Sequence, residues 1–156
     1  RAIVIGRNKF GMSIVIFSVE GNPRGKARAR TFYDSRMGKM RSITPEQTKD
    51  YESLIRWNYK AAGGLYMGEK LIDITITAFY PVPKSFSKSK REAALSGKLR
   101  PITKPDVDNC AKAVLDALNG VCYVDDRQVV GLKIDKYYGL NGYLAIFVEG
   151  IENAKE

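Results

Sequence analysis

Hydrophobic and polar positions alternate most cleanly between Lys70 and Tyr80. Ile72, Ile74, Ile76 and Ala78 fall on one side of an extended chain, and Asp73, Thr75 and Thr77 on the other. The pattern predicts a strand with one face packed on helices. Ser13 to Glu20, β-branched and aromatic, predicts an earlier strand, closed by the turn residues Gly21-Asn22-Pro23. Thr44-Pro45-Glu46-Gln47 has the form of a helix start, with Thr44 as N-cap, Pro45 in the first helical position and Gln47 completing a capping box. That helix should reach about Ala62, with Tyr51, Leu54, Ile55 and Ala61/Ala62 at helical spacing, the polar Asn58 interrupting the stripe and Gly63-Gly64 ending it.

A second helix is predicted over Val107 to Leu118. Its apolar stripe is Val107, Cys110, Ala111, Val114, Leu115 and Leu118, and Asn119-Gly120 supplies the stop. Between the two helices, beyond the Lys70–Tyr80 strand, the polar stretch from Pro81 to Pro105 leaves room for a short helix around Lys88 to Leu95. Two further strands follow, about Gln128 to Tyr138 and Tyr143 to Glu149, joined by a turn at Gly139 to Gly142. This order predicts an α+β domain, a mixed β-sheet with two main helices packed on one face. Arg1 to Gly11 carries a short apolar run, Ala2 to Ile5, and Met12 reads as a possible natural start. The expectation is a leader or added remnant at 1–11 and one folded domain over 12–156, an extra native strand being the competing reading.

Length and composition agree with one domain: 156 residues, 44% hydrophobic and 28% charged, enough to close a single core. No apolar stretch approaches the roughly 18 to 20 residues of a membrane span. The 26 Lys and Arg against 17 Asp and Glu leave a net charge of +9, which favours a polyanionic partner, nucleic acid first. There is no histidine, so histidine general bases, Ser-His pairs and His-containing zinc sites are excluded. Cys110 and Cys122 lack Cys-x-x-Cys spacing and sit among apolar residues, which predicts buried thiols and suits a reducing cytoplasm. No phosphate-cradling Gly-x-x-x-x-Gly-Lys-Ser/Thr loop occurs, so no nucleotide cofactor is expected.

The charges are segregated. In 22–41, Arg24, Lys26, Arg28, Arg30, Arg36, Lys39 and Arg41 stand against Asp34 for a net +6. In 81–104, Lys84, Lys88, Lys90, Arg91, Lys98, Arg100 and Lys104 stand against Glu92 for another +6. Two arms thus carry more than the whole chain's +9. Asp106, Asp108, Asp116, Asp125, Asp126 and Asp135 collect between residues 105 and 135. Basic loops flanking an acidic centre suit a metal-dependent phosphodiesterase, because the arms bind phosphates by counterion release and the carboxylates concentrate a hard cation such as magnesium.

Within Lys104-Pro105-Asp106-Val107-Asp108-Asn109, a helix starting after Asp106 would place that residue at the cap and Asp108 in the first turn, so that both can reach one ion. Lys112, four residues beyond Asp108, shares its helical face. In Tyr123-Val124-Asp125-Asp126, adjacent residues of an extended chain point oppositely, so one of the two aspartates joins the pair; Asp126 is favoured. The competing structural readings are an N-cap for Asp106, a dipole-favoured acid for Asp108 and a solvated turn for Asp125-Asp126.

The run from Lys104 through Asp106, Asp108, Asn109 and Lys112 to Asp125-Asp126-Arg127-Gln128-Val129-Val130 resembles the signature of the RusA-type Holliday-junction resolvases, endodeoxyribonucleases common in phages and prophages. The likeness extends to Gly25-Lys-Ala-Arg-Ala-Arg, Thr44-Pro45 and Pro83-Lys84-Ser85-Phe86-Ser87, and covers roughly Ser13 to Val148. It implies a bacterial cytoplasmic homodimer that binds a four-way DNA junction and resolves it by paired symmetric nicks in DNA recombination and repair. It further implies Mg²⁺, with Mn²⁺ substituting, held by Asp106, Asp108 and Asp126, with Lys112 also catalytic. The basic arms would hold DNA through Lys26, Arg28, Arg30, Lys84, Lys88, Lys90, Arg91 and Lys104. Two other classes compete. A haloacid-dehalogenase-like phosphatase also uses Asp-x-Asp, but after a buried apolar strand, whereas polar Gly97 to Pro105 precedes it here. A non-catalytic basic module for branched DNA would need no acidic cluster and no magnesium.

Overall fold

The computed structural model describes residues 3–5 and 12–153. A mixed sheet has the order β1-β2-β7-β5-β6, built from β1 (Ile3–Ile5), β2 (Ser13–Glu20), β5 (Leu71–Pro81), β6 (Val129–Gly139) and β7 (Tyr143–Ile151). Only β5 and β6 run parallel; the other neighbours are antiparallel. A parallel pair needs a long crossover, and residues 82–128 supply it through α2 (Lys88–Leu95) and α3 (Val107–Leu118). The predicted turn after β6 makes no hairpin with β7, because β5 lies between them and the loop passes over its end, where Val82 N donates to Gly139 O at 3.1 Å. Residues 3–5 pair with Ile14 to Ile16 of β2 as an edge strand. The remainder of 1–11 lies outside the described residues.

The expected α+β architecture holds. Val15, Phe17 and Val19 of β2, Ile72, Ile74 and Ile76 of β5, and Leu144, Ile146 and Val148 of β7 line one buried face. α1 (Glu46–Ala61) and α3 cover it with Tyr51, Ile55 and Tyr59 and with Cys110, Ala113, Val114, Ala117 and Leu118. Each fully buried aliphatic here contributes about 1.5–3 kcal/mol by leaving water. Alternation therefore decides which face of β5 meets the helices.

Three details depart from the sequence reading. Thr44 does not cap α1: the flanking residue is Pro45, and no side-chain cap bond or capping box forms. Thr44 instead follows directly on a strand, and Pro45 O accepts from Thr48 N at 3.0 Å. The inner stripe of α1 is Thr48, Tyr51, Glu52, Ile55 and Tyr59, while Leu54 is exposed; on α3, Val107 is exposed at the helix's first turn. The basic stretch 22–41 runs into an unexpected hairpin, β3 (Arg30–Asp34) with β4 (Lys39–Ile43), forming its own two-stranded sheet. Among the described residues no helix is long and apolar enough to cross a membrane.

Candidate active site at the N-terminus of α3

The helix begins at Val107, as its spacing predicts, with Asp106 in the flanking position. A capping Asp would accept from the backbone of the first turn, yet Asp106 makes no such bond. The structural reading of Asp106 therefore loses its main support. Asp106, Asp108 and Lys112 are all exposed, and among the described residues their side chains have no hydrogen-bond or ion-pair partner. Two carboxylates at the start of α3 and an ammonium about one turn on thus face solvent.

The loop before them is held from beneath. Lys136 Nζ donates to Pro105 O at 3.1 Å and to Thr103 O, and Tyr80 OH reaches Pro105 O at 3.4 Å. The Lys104–Pro105 peptide is cis. Burial, with the nearby Cys110, Tyr51 and Asp106, raises the Tyr80 phenol well above its ordinary value, and burial lifts the Cys110 thiol to about 11. Neither group ionises near neutral pH, so both act as packing and hydrogen-bonding groups.

The first basic arm crosses the same helix end. Lys26 N donates to Asn109 O at 2.9 Å, and a Cβ on Gly25 would stand 2.7 Å from Pro105 Cβ and 3.0 Å from Asn109 Cβ. Glycine permits that approach. Arg24, Arg28, Lys104, Asp106 and Asn109 line an open cleft of about 700 Å³ there. Lys26, expected as a DNA contact, turns inward. Its ammonium bonds Asp116 and lies 3.3 Å from Glu52, which carries only 11% side-chain exposure and also faces Arg56 at 3.8 Å. Burial opposes the Lys26 charge, but the two carboxylates outweigh it and raise its pKa. Lys26 thus staples the arm to α1 and α3, and its charge is answered within the protein.

Asp125 and Asp126 separate by role. Asp125 caps the short 3-10 turn Asp126–Gln128: its Oδ1 accepts from Arg127 N at 3.0 Å and from Arg127 Nε at 2.8 Å. The Arg127 backbone and guanidinium hold its carboxyl below the ordinary value. Gln128 closes the box, accepting from Val124 N and Asp125 N and donating to Gly68 O and Lys70 O. Asp126 is exposed. Its charge, with burial and Cys122 acting first, helps raise the pKa of Tyr123, whose hydroxyl donates to Leu115 O at 2.9 Å. Among the described residues no three Asp, Glu, Cys or His side chains stand close enough together to hold an ion. The structure sets Asp106 and Asp108 at one helix end and leaves Asp126 outside a closed set with them. Oxygen donors of this kind fit Mg²⁺, which commonly takes only one or two carboxylates and completes its shell with water and substrate phosphate.

The second arm presents Lys84, Lys88, Lys90, Arg91 and Lys104 to solvent. Lys88, Lys90 and Arg91 crowd the N-terminal turns of α2, which hold no acid in the first turn, although that end of a helix favours anions. Arg100 is used internally, stacked 3.5 Å over the Tyr137 ring and paired with Asp135 at 3.3 Å. Sequence reasoning missed Lys136, Glu52 and the cap role of Asp125. Lys136 had a signal, since it shares the alternation phase of Leu132, Ile134 and Tyr138 on β6.

Fold and site define an α+β protein with exposed carboxylates rimmed by cations, suited to a phosphodiester backbone. Residues 20–149 match the model of the family Endodeoxyribonuclease RusA, and the chain belongs to that nuclease family. The sequence is also 39% identical over 132 residues to "Uncharacterized protein YqaN" of Bacillus subtilis, covering 81% of this chain and 89% of that protein.

Proposed function

We propose that the protein is a magnesium-dependent, structure-selective endodeoxyribonuclease that resolves Holliday junctions by paired nicks in recombination and repair. The observation that carries this reading is the pair Asp106 and Asp108, exposed and without partners among the described residues at the N-terminus of α3, beside a cation-lined cleft in a chain of the RusA family. Asp106 and Asp108, joined by Asp126, would hold the metal, which supplies Lewis-acid charge and lowers the pKa of a water when bound. Lys112 is placed to put an ammonium on a phosphate oxygen. Arg28 and Arg30 of the first arm, with Lys84, Lys88, Lys90, Arg91 and Lys104 of the second, would grip the flanking duplex.

Two cuts of like polarity call for a two-fold dimer. The face of the sheet opposite α1 and α3 offers a contact for it, with half-exposed Ile14, Ile16, Phe79, Tyr143 and Phe147. The absence of a closed three-carboxylate set among the described residues favours one rival, a non-catalytic module for branched DNA.

A labelled four-way junction and its matching duplex, incubated with Mg²⁺ or EDTA beside Asp108→Asn, separate the two. Paired, Mg²⁺-dependent nicks confined to the junction, lost in the variant while binding persists, are expected. A junction that is bound but stays intact under every Mg²⁺ and Mn²⁺ condition would refute the catalytic reading.

A further inference from the structure

The β3–β4 hairpin has no place in the core. Every residue of β4 and all of β3 except Asp34 is exposed, so the ribbon projects from the body with both faces in solvent. It is nonetheless ordered by its own bonds. Asp34 Oδ1 accepts from Arg36 N at 3.0 Å and Met37 N at 3.3 Å, Gly38 takes the positive φ (+62°) of the turn, and Arg41 pairs with Asp34 at 3.2 Å.

Its chemistry is divided. Arg30, Phe32, Lys39 and Arg41 share one face by register, and Tyr33 lies opposite Met40 on the other. Tyr33, Met37 and Met40 are 62%, 58% and 63% exposed, an apolar tip on a ribbon whose cations outnumber its single acid. A solvated surface loop would not place large apolar side chains at its end. Five cations from Arg28 to Arg41 argue for a polyanion as the occupant, and the major groove of DNA admits a two-stranded ribbon.

We propose that the hairpin is a DNA-inserting arm, with Arg30, Lys39 and Arg41 on phosphates and the Tyr33/Met37/Met40 tip wedged between base pairs at a branch point. The inference rests on the nuclease reading above and deepens it, because the wedge is a source of selectivity. Parting stacked bases costs a few kcal/mol per step. At the exchange point of a four-way junction two strands leave the stack, so parting the bases costs less there than on continuous linear duplex, where the cost remains in full.

The test uses the full chain in Ca²⁺ with a four-way junction carrying 2-aminopurine at the exchange point, and with the same label in duplex. Wild type should brighten the junction probe on binding. The triple variant Tyr33→Ser/Met37→Ser/Met40→Ser should lose most of that signal and about tenfold of the junction-over-duplex preference, while duplex affinity changes by less than about twofold. Arg30→Ala/Arg41→Ala should instead weaken both DNAs and reduce the salt slope by about one per lost contact. An undiminished 2-aminopurine signal in the triple variant overturns the wedge and leaves the nuclease reading standing. A drop in sedimentation mass with an unchanged signal overturns it in favour of a second copy of the chain as occupant. Failure of wild type to bind either DNA overturns both readings.

Discussion

Lys26→Met removes a charge and keeps the aliphatic stem, so its cost isolates the ammonium that joins the first arm to both helices. The ammonium is one-quarter exposed, Asp116 about one-fifth and Glu52 about one-tenth. Full burial would put the loss of one partner at about 3–5 kcal/mol, and full exposure at about 0–1 kcal/mol. A hydrogen bond to a charged group contributes about 1.5–3 kcal/mol. Arg56, 3.8 Å from Glu52, answers part of the stranded charge, which places the expected loss near the middle, about 2 kcal/mol. For a chain of this size that lowers Tm by roughly 4–8 °C. Urea unfolding read by linear extrapolation gives the difference directly. Because the Lys26 pKa is raised in the fold, its stabilisation is complete below the unfolded lysine pKa of about 10.4 and is lost as pH rises through the folded value. The gap between wild type and variant should therefore persist at pH 9 and close only as pH rises through the raised folded value. A junction-binding salt slope unchanged by the substitution would confirm that Lys26 touches no phosphate. A stability loss under about 0.5 kcal/mol at pH 7, or a slope reduced by about one, would refute the reasoning.

Other consequences are equally direct. Asp125→Asn should lower thermal stability by loosening the 3-10 cap and spare nuclease turnover, whereas Asp126→Asn should leave Tm alone and reduce cleavage by on the order of 10²-fold or more; equal effects of the two on cleavage would contradict the division of roles. Gln128→Ala removes partners from two backbone N–H groups and two carbonyls, and should cost about 2–3 kcal/mol in a denaturant titration. Lys136→Met frees the Thr103 and Pro105 carbonyls under Asp106; cleavage should fall about 10–100-fold with a raised Mg²⁺ requirement and little change in junction affinity. A variant with wild-type Mg²⁺ dependence would show that Lys136 does not position the acidic pair.

Much of the architecture was legible because its signal is local. The phase of Ile72, Ile74, Ile76 and Ala78 decides a strand's buried face, and the stripe of α3 with Asn119-Gly120 after it decides a helix and its end. Segregated charge and the Asp106-Val107-Asp108 spacing likewise set the candidate chemistry at a helix start without any tertiary knowledge. The hairpin escaped because alternation marks a strand only when one face is buried, and both faces of this ribbon meet solvent. Its remaining signal was turn chemistry, Asp34 through Gly38 between β-forming residues.

What the tertiary structure alone decided concerns groups whose partners lie far away in the chain. Lys26 meets Asp116 ninety residues later, and only the packing of the arm between α1 and α3 makes it a staple. Asp125 and Asp126 are chemically identical neighbours until Arg127 and Gln128 close a cap around one of them. Residue type and spacing establish which charges a chain possesses and on which local face they fall. Whether a charge is answered inside the protein or left for a ligand depends on which distant segments the fold brings against it, and that pairing has no local pattern to read.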